Sequence, residues 1–182
     1  QAAMQQLLTG QTRLPGFSRK WERVAVGELF GFKNGINKAK EFFGHGTPIV
    51  NYMDVYQGTG LHPANLPGRV AASDDEAKAF DVRRGDVFFT RTSETVEEIG
   101  LAAVMLEDCE RTVFSGFLLR ARPKNDRLRD AFKKYCFRSE AVRQQIITRA
   151  SYTTRALTNG RLLSAVLLDV PSREEQTAIA DM

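Results

Sequence analysis

Three polar segments of the sequence carry the side-chain types that contact nucleic acids. Lys, Arg, Ser and Thr suit phosphate oxygens, whereas Arg and Asn also suit the edges of guanine and adenine in the major groove. We take as candidate contacts Lys33, Asn37, Lys38 and Lys40 in the first segment, Arg91, Thr92 and Ser93 in the second, and Tyr152, Thr154, Arg155, Asn159 and Arg161 in the third. Solvated loops have a similar composition, so the residue types alone leave nucleic-acid binding open.

Motifs for catalysis are weak by comparison. Glu76 and Lys78 have the E-x-K spacing of a metal-dependent nuclease, but they lie in the hydrophilic run "SDDEAKAF", outside any convincing strand. The only histidines, His45 and His62, stand in no zinc-binding spacing. The stretch "FFGHG" fits an F-x-G-x-G cofactor loop, yet a polar segment precedes it where such a loop needs a strand. We predict no catalytic, cofactor-binding or metal-binding residues, and a small nuclease on Glu76 and Lys78 stays an alternative.

The bulk composition is that of an ordinary globular domain. The 182 residues are 42% hydrophobic and 26% charged, which allows a sizeable core. The net charge of +4 suits a polyanionic partner without requiring one. No apolar run is long enough to span a bilayer, and no basic-then-apolar leader is present. We expect Cys109 and Cys136 to be reduced thiols, and therefore a cytoplasmic protein without a membrane partner.

The middle of the sequence has the composition of strands. Residues 21–32 are short, apolar and interrupted by glycine, which suits a strand or a helical turn. Runs rich in β-branched, aromatic and other apolar residues predict strands at 47–56, 87–90, 99–106 and 112–122. The glycines and prolines of 58–75 predict a long loop. We therefore expect a twisted sheet of several strands, antiparallel or mixed.

The last third of the sequence favours helices. Apolar residues recur at the spacing of one helix face over 126–137. Ser139 can cap a second helix, residues 151–161 form a polar segment, and residues 162–170 form a last apolar element. Together with the sheet, these helices predict an α+β fold (mixed α/β).

Both ends of the sequence resemble pieces of longer helices. Gly10 stands where a left-handed glycine ends a helix. At the other end, Ser172 and Glu175 have the spacing of a capping box, in which the Ser172 hydroxyl accepts from the Glu175 amide and the Glu175 carboxylate reaches back. We predict three parts: the end of a spacer helix at 1–10, a folded domain at 11–170 and the start of a second helix at 171–182, with both helices as stubs of a long coiled coil.

Three stretches resemble the specificity subunits of type I restriction–modification systems. "MQQLLTGQTRLPGF", followed by a tryptophan, is similar to the junction where a long conserved helix of that family gives way to a target recognition domain. "RRGDVFFTRTSE" resembles the central Gly-Asp strand of that domain. "LLSAVLLDVPSREEQTAIADM" resembles its close, which is an apolar strand, a proline and the start of the next conserved helix. The loops between them match no common pattern, as a variable target requires.

The resemblance implies a non-catalytic protein that binds double-stranded DNA and reads one half of a bipartite target. It implies methyltransferase (modification) subunits as partners, and restriction subunits through them, with S-adenosylmethionine and ATP bound on those partners. Residues 11–170 would be one recognition domain, the second of two or that of a half-length subunit that dimerises. The recognition domain of a fused type II restriction–methylation enzyme and an RNA-binding module stay open as alternatives.

Overall fold

The computed structural model describes residues 2–182, which form short strands and helices in mixed order. The strands are β1 (Glu22–Ala25), β2 (Phe30–Asn34), β3 (Phe43–Val50), β4 (Gly60–Leu61), β5 (Arg69–Val70), β6 (Val87–Thr90), β7 (Thr92–Ser93), β8 (Ala102–Met105), β9 (Val113–Phe114), β10 (Leu118–Pro123), β11 (Ser151–Tyr152), β12 (Ala156–Leu157) and β13 (Leu167–Val170). The helices are α1 (Ala2–Leu8), α2 (Val26–Leu29), α3 (Tyr52–Gln57), α4 (Asp74–Ala79), α5 (Asp130–Cys136), α6 (Glu140–Arg149), α7 (Gly160–Ser164) and α8 (Arg173–Ala180). Within this described part, no helix combines the length and apolarity that crossing a bilayer needs.

The largest sheet has five strands in the order β2-β10-β6-β8-β4. The first four pair antiparallel, and β4 pairs parallel with β8. Smaller sheets join β5-β3-β9, β1-β13 and β7-β12-β11. This mixture of sheets and helices confirms the predicted α+β class.

Strand β6 is the centre of the fold, because all four of its residues are buried between β10 and β8. Successive side chains of a strand point to opposite faces. Phe89 meets Phe137 edge-on at 5.1 Å between ring centroids, next to α5. Phe88 points the other way and packs on Phe114 at 5.4 Å. Since β6 is held on both faces, the chain that leaves it at Arg91 starts from a fixed position.

The strand predicted at 47–56 is wrong in its second half. Asn51 and Asp54 form a capping box, in which the Asn51 amide donates to the Asp54 carboxylate at 2.7 Å, and this starts α3. Local side-chain bonds of this kind end a strand even where the following residues favour strands. The loop predicted at 58–75 contains the short strands β4 and β5 and the start of α4.

The run 112–122, predicted as one strand, is two. The Ser115–Phe117 turn separates β9 from β10, and the Leu118 amide donates to the Ser115 carbonyl at 3.0 Å. The two strands also belong to different sheets, β9 beside β3 and β10 beside β6. A turn that contains one glycine among apolar residues barely changes the hydrophobic pattern, so the pattern predicted one continuous strand.

The C-terminal third follows the prediction with shifted boundaries. The helix predicted over 126–137 begins at Asp130, and Ser139 caps α6 by accepting from the Val142 amide. The polar segment 151–161 contains the β11–β12 hairpin and the first residues of α7. Residues 162–170 divide into the rest of α7 and the strand β13.

The ends of the chain pack on the domain rather than standing apart. Gly10 has a φ of 69°, as predicted for a glycine that ends a helix. Leu7 of α1 and Ile179 of α8 belong to the main core, and the predicted coiled-coil stubs are not confirmed. The division at residues 10 and 170 stays a prediction.

The capping box predicted at Ser172 is half confirmed. The Ser172 hydroxyl accepts from the Glu175 amide at 3.3 Å, as expected. The Glu175 carboxylate does not reach back. Instead it accepts two bonds from Arg13 at 2.7 Å and one from the Trp21 indole at 2.9 Å. A buried carboxylate gains more from these charged and aromatic donors than from its own helix end.

Candidate nucleic-acid interface

The second and third polar segments meet in the sheet β7-β12-β11. Thr92 and Ser93 pair with Leu157 and Ala156 of β12. The Thr158 amide donates to the Arg91 carbonyl at 3.0 Å, which extends the pairing by one residue. Two segments about 60 residues apart in the sequence therefore form one surface, and this surface continues directly from the buried strand β6.

The first polar segment joins this surface through the Ser115–Phe117 turn. The Arg91 amide donates to the Phe117 carbonyl, and the Arg91 guanidinium to the Gly116 carbonyl, each at 3.3 Å. On the other side of the turn, the Gly116 amide donates to the Ile36 carbonyl at 2.8 Å. The four stretches 34–37, 115–117, 91–93 and 151–159 thus lie side by side, and we call them the edge surface.

Two glycines allow this close packing. A Cβ on Gly35 would overlap the Ser115 carbonyl oxygen, and a Cβ on Gly116 would overlap the Asn37 side-chain oxygen. Any other residue at position 35 would push the two backbones apart, whereas a side chain at position 116 would displace the Asn37 side chain. The edge surface therefore has a defined shape on its 34–37 side.

Side chains of the third segment extend into solvent. Tyr152 is 60% exposed, and Thr154 is exposed beside it. Arg155 is also exposed and forms an ion pair with Glu94 at 3.0 Å. Exposed pairs of this type contribute about 0–1 kcal/mol, so a phosphate or a base could readily replace the Glu94 carboxylate.

Some predicted contacts have structural roles as well. Ser93 is buried, and its hydroxyl accepts from the Thr95 amide at 3.3 Å. Asn159 is the N-cap of α7, since its side chain accepts from the Leu162 amide at 3.0 Å. The Asn159 amide nitrogen and the exposed Arg161 lie at the same end of that helix.

Two lysines of the first segment, Lys33 and Lys38, face helix α4 rather than the edge surface. The Lys33 ammonium donates to the Ala79 carbonyl and lies over the Phe80 ring at 5.1 Å. Lys38 pairs with Glu76 at 2.8 Å. The structure therefore brings Asn37 to the edge surface, whereas Lys33 and Lys38 lie to one side of it. Lys40 is exposed in a short 3-10 turn, Lys40–Phe42, beyond Lys38.

Glu76, the residue considered for a nuclease, has a structural environment. Its carboxylate accepts from Lys38 and from the Ser73 amide, and these bonds hold the pKa of Glu76 below its usual value. With Ser73 it forms the capping box of α4. Across residues 2–182 no group of three or more His, Cys, Asp or Glu side chains is placed to hold a metal ion.

Three residues at the edge surface, Gly116, Phe117 and Glu94, were not predicted from the sequence. Gly116 and Phe117 lie inside an apolar run, and an exposed Phe117 looks the same in sequence as a core phenylalanine. Glu94 follows the second segment, but only the hairpin brings it to Arg155. The "SGF" tripeptide is the one available signal, because Ser-Gly is a turn dipeptide.

No protein-family model and no curated protein sequence matches the chain. Solved structures do share its fold. One, described as the structural basis of complex assembly and conformational transition of the type I R-M system, has a TM-score of 0.64 at 21% identity, over 98% of this chain and 42% of that chain. The crystal structure of the HsdS subunit from Thermoanaerobacter tengcongensis has a TM-score of 0.65 at 20% identity, over 99% of this chain and 41% of that chain.

A third structure, the type I restriction–modification system S subunit from M. genitalium, has a TM-score of 0.58 at 17% identity, over 92% of this chain and 39% of that chain. The present chain spans about two fifths of the length of each of these proteins. At these identities the likeness shows the fold. The fold that the sequence resemblance implied is therefore confirmed.

Proposed function

We propose that this chain is a target recognition domain of a type I restriction–modification specificity subunit, and that it reads one half of a bipartite site in double-stranded DNA. The observation that carries the proposal is the edge surface, where Arg91, Arg155 and Tyr152 come together from distant parts of the sequence. The fold shared with specificity subunits supports it.

The side chains of the edge surface suit the chemistry of duplex DNA. Arg91 can donate two bonds to guanine, and the Asn37 amide can pair with adenine. Arg155, together with Lys40 and Arg161 in the segments that continue the chain beyond the surface, is an exposed cation suited to phosphate oxygens, which fix the position of a protein on the duplex. Side chains at the centre of the edge surface would therefore contact bases, and those at its margins would contact phosphates.

The proposal includes the partners that the sequence resemblance implies. The chain itself would catalyse nothing, and it would direct methyltransferase subunits, and restriction subunits through them, to the target. The S-adenosylmethionine and ATP sites would lie on those partners. The protein would work in the cytoplasm, where it meets the genome.

Methylome sequencing of a host that expresses the full-length gene with its methyltransferase partner tests the proposal. We expect methylation at a bipartite motif, and we expect Arg91→Ala to relax discrimination at one position of one half-site. A base contact of this kind is worth about 1–3 kcal/mol. An unmethylated genome, or methylation without a bipartite motif, would contradict the proposal.

Binding measurements on the full-length protein test the margin of the surface. Arg155→Ala should weaken all duplexes alike and lower the slope of log affinity against log salt by about 1. Glu94→Gln should raise affinity by up to about fivefold, because Arg155 loses its competing partner.

The pair Arg23–Asp169, at 2.8 Å on the β1–β13 sheet, provides the matched control. Asp169→Asn frees an arginine outside the edge surface and should leave affinity unchanged. Preference for RNA over duplex DNA in the same assay would favour the RNA-binding alternative instead.

A further inference from the structure

Phe117 is a large apolar side chain that the fold holds out in solvent. It is 64% exposed, at the tip of the turn between β9 and β10. Its amide donates to the Ser115 hydroxyl at 3.2 Å, and its carbonyl accepts from the Arg91 amide. The Leu118 amide closes the turn on the Ser115 carbonyl. The backbone of Phe117 is thus fixed on three sides while its ring is solvated.

Single exposed hydrophobic residues are common and need no explanation. The position of Phe117 is what separates it from the others. Its turn lies between Arg91 on one side and Ile36–Asn37 on the other, at the middle of the edge surface. Two further apolar side chains of the same surface, Tyr152 and Leu157, are also exposed.

Polar neighbours of Phe117 indicate which part of DNA it would meet. Arginine and asparagine side chains read base edges in the major groove, where each base pair has its own pattern of donors and acceptors. The only apolar group that a normal base pair presents there is the 5-methyl group of thymine, and phenylalanine is among the side chains that contact it. A rigid turn is suited to this role because it orders few new torsions on binding.

We propose that Phe117 is a specificity-determining residue that contacts the 5-methyl group of one thymine in the target half-site. The inference rests on the proposed function, since it assigns a ligand to one side chain of the same surface. It predicts that the half-site contains at least one T·A pair at a position that the protein discriminates.

The test is a thymine-to-uracil scan of the cognate duplex with the full-length protein, because uracil lacks only the methyl group. At one position, uracil should weaken binding by the wild-type protein about fourfold, the factor that burial of one methyl-sized group contributes. Phe117→Ala should bind the natural duplex about fourfold more weakly and should be insensitive to uracil at that position. Circular dichroism melting should show that the variant is folded.

Leu167→Ala is the matched control, because Leu167 is 41% exposed on β13, in the separate β1–β13 sheet. It should bind every duplex as the wild type does. Equal sensitivity of wild type and Phe117→Ala to uracil would overturn the inference, and so would a half-site without thymine. A rise in 2-aminopurine fluorescence that depends on Phe117 would show insertion between bases and also overturn it. Failure of the wild type to bind any duplex would instead refute the proposed function.

Discussion

Glu175 allows the sharpest test of how the two ends of the chain are held together. Its side chain is 1% exposed, and its carboxylate accepts three bonds, two from Arg13 at 2.7 Å and one from the Trp21 indole at 2.9 Å. Arg13 belongs to the linker after α1, and Glu175 belongs to α8. Glu175→Gln removes the charge but keeps the size and shape of the side chain.

The structure gives the size of the expected effect. A hydrogen bond to a charged group contributes about 1.5–3 kcal/mol net, and a glutamine keeps only one of the two acceptor oxygens. Removing one partner of a fully buried pair costs about 3–5 kcal/mol. Arg13 is 26% exposed and regains water, so the loss should lie below that range. We expect Glu175→Gln to lower the free energy of unfolding by about 2–3 kcal/mol.

Urea unfolding followed by the fluorescence of Trp21, the one tryptophan, measures this free-energy change with a probe that itself contacts Glu175. A loss of that size should also lower the melting temperature by about 4–12 °C. Glu174→Gln is the control. It removes the same charge from the preceding residue of α8, which is exposed, and should leave the Trp21 emission unchanged. A double-mutant cycle with Arg13→Gln should show coupling of at least about 1 kcal/mol. Strictly additive losses would refute the reasoning.

Two further predictions concern residues next to the sheets. Gly35→Ala should destabilise the protein by about 1–3 kcal/mol because its Cβ would overlap the Ser115 carbonyl. Gly31→Ala in the preceding strand β2, where a Cβ has no neighbour closer than 3.9 Å, should have little effect. Equal urea midpoints for the two variants would contradict this. Burial disfavours the Asp81 carboxylate, but hydrogen bonds from Arg122 and Arg83 outweigh it and lower the pKa of Asp81. The stabilisation from the charged Asp81 is present above the unfolded-state pKa of about 3.9 and is lost as pH falls through the lower folded-state pKa. The urea midpoint of the wild type should therefore fall between about pH 5 and pH 3, and that of Asp81→Asn should fall less over the same range.

The sequence alone determined what depends on neighbours along the chain. Ser139 and Ser172 cap the helices that follow them, and Gly10 ends α1, because each needs only residues within one helical turn. The buried strand at 87–90 follows from its β-branched and aromatic run after a Gly-Asp turn. The specific stretches at both ends and in the middle supported the resemblance, and with it the fold.

Only the tertiary structure decided which of these residues meet. The pairing of 91–93 with 156–158 joins segments about 60 residues apart, and no local pattern specifies such a register. Glu175 could cap its own helix or bind Arg13, and the choice depends on where α8 packs. Phe117 is a residue type typical of the core but lies on the surface, because the exposure of a side chain depends on which other parts of the fold pack against it.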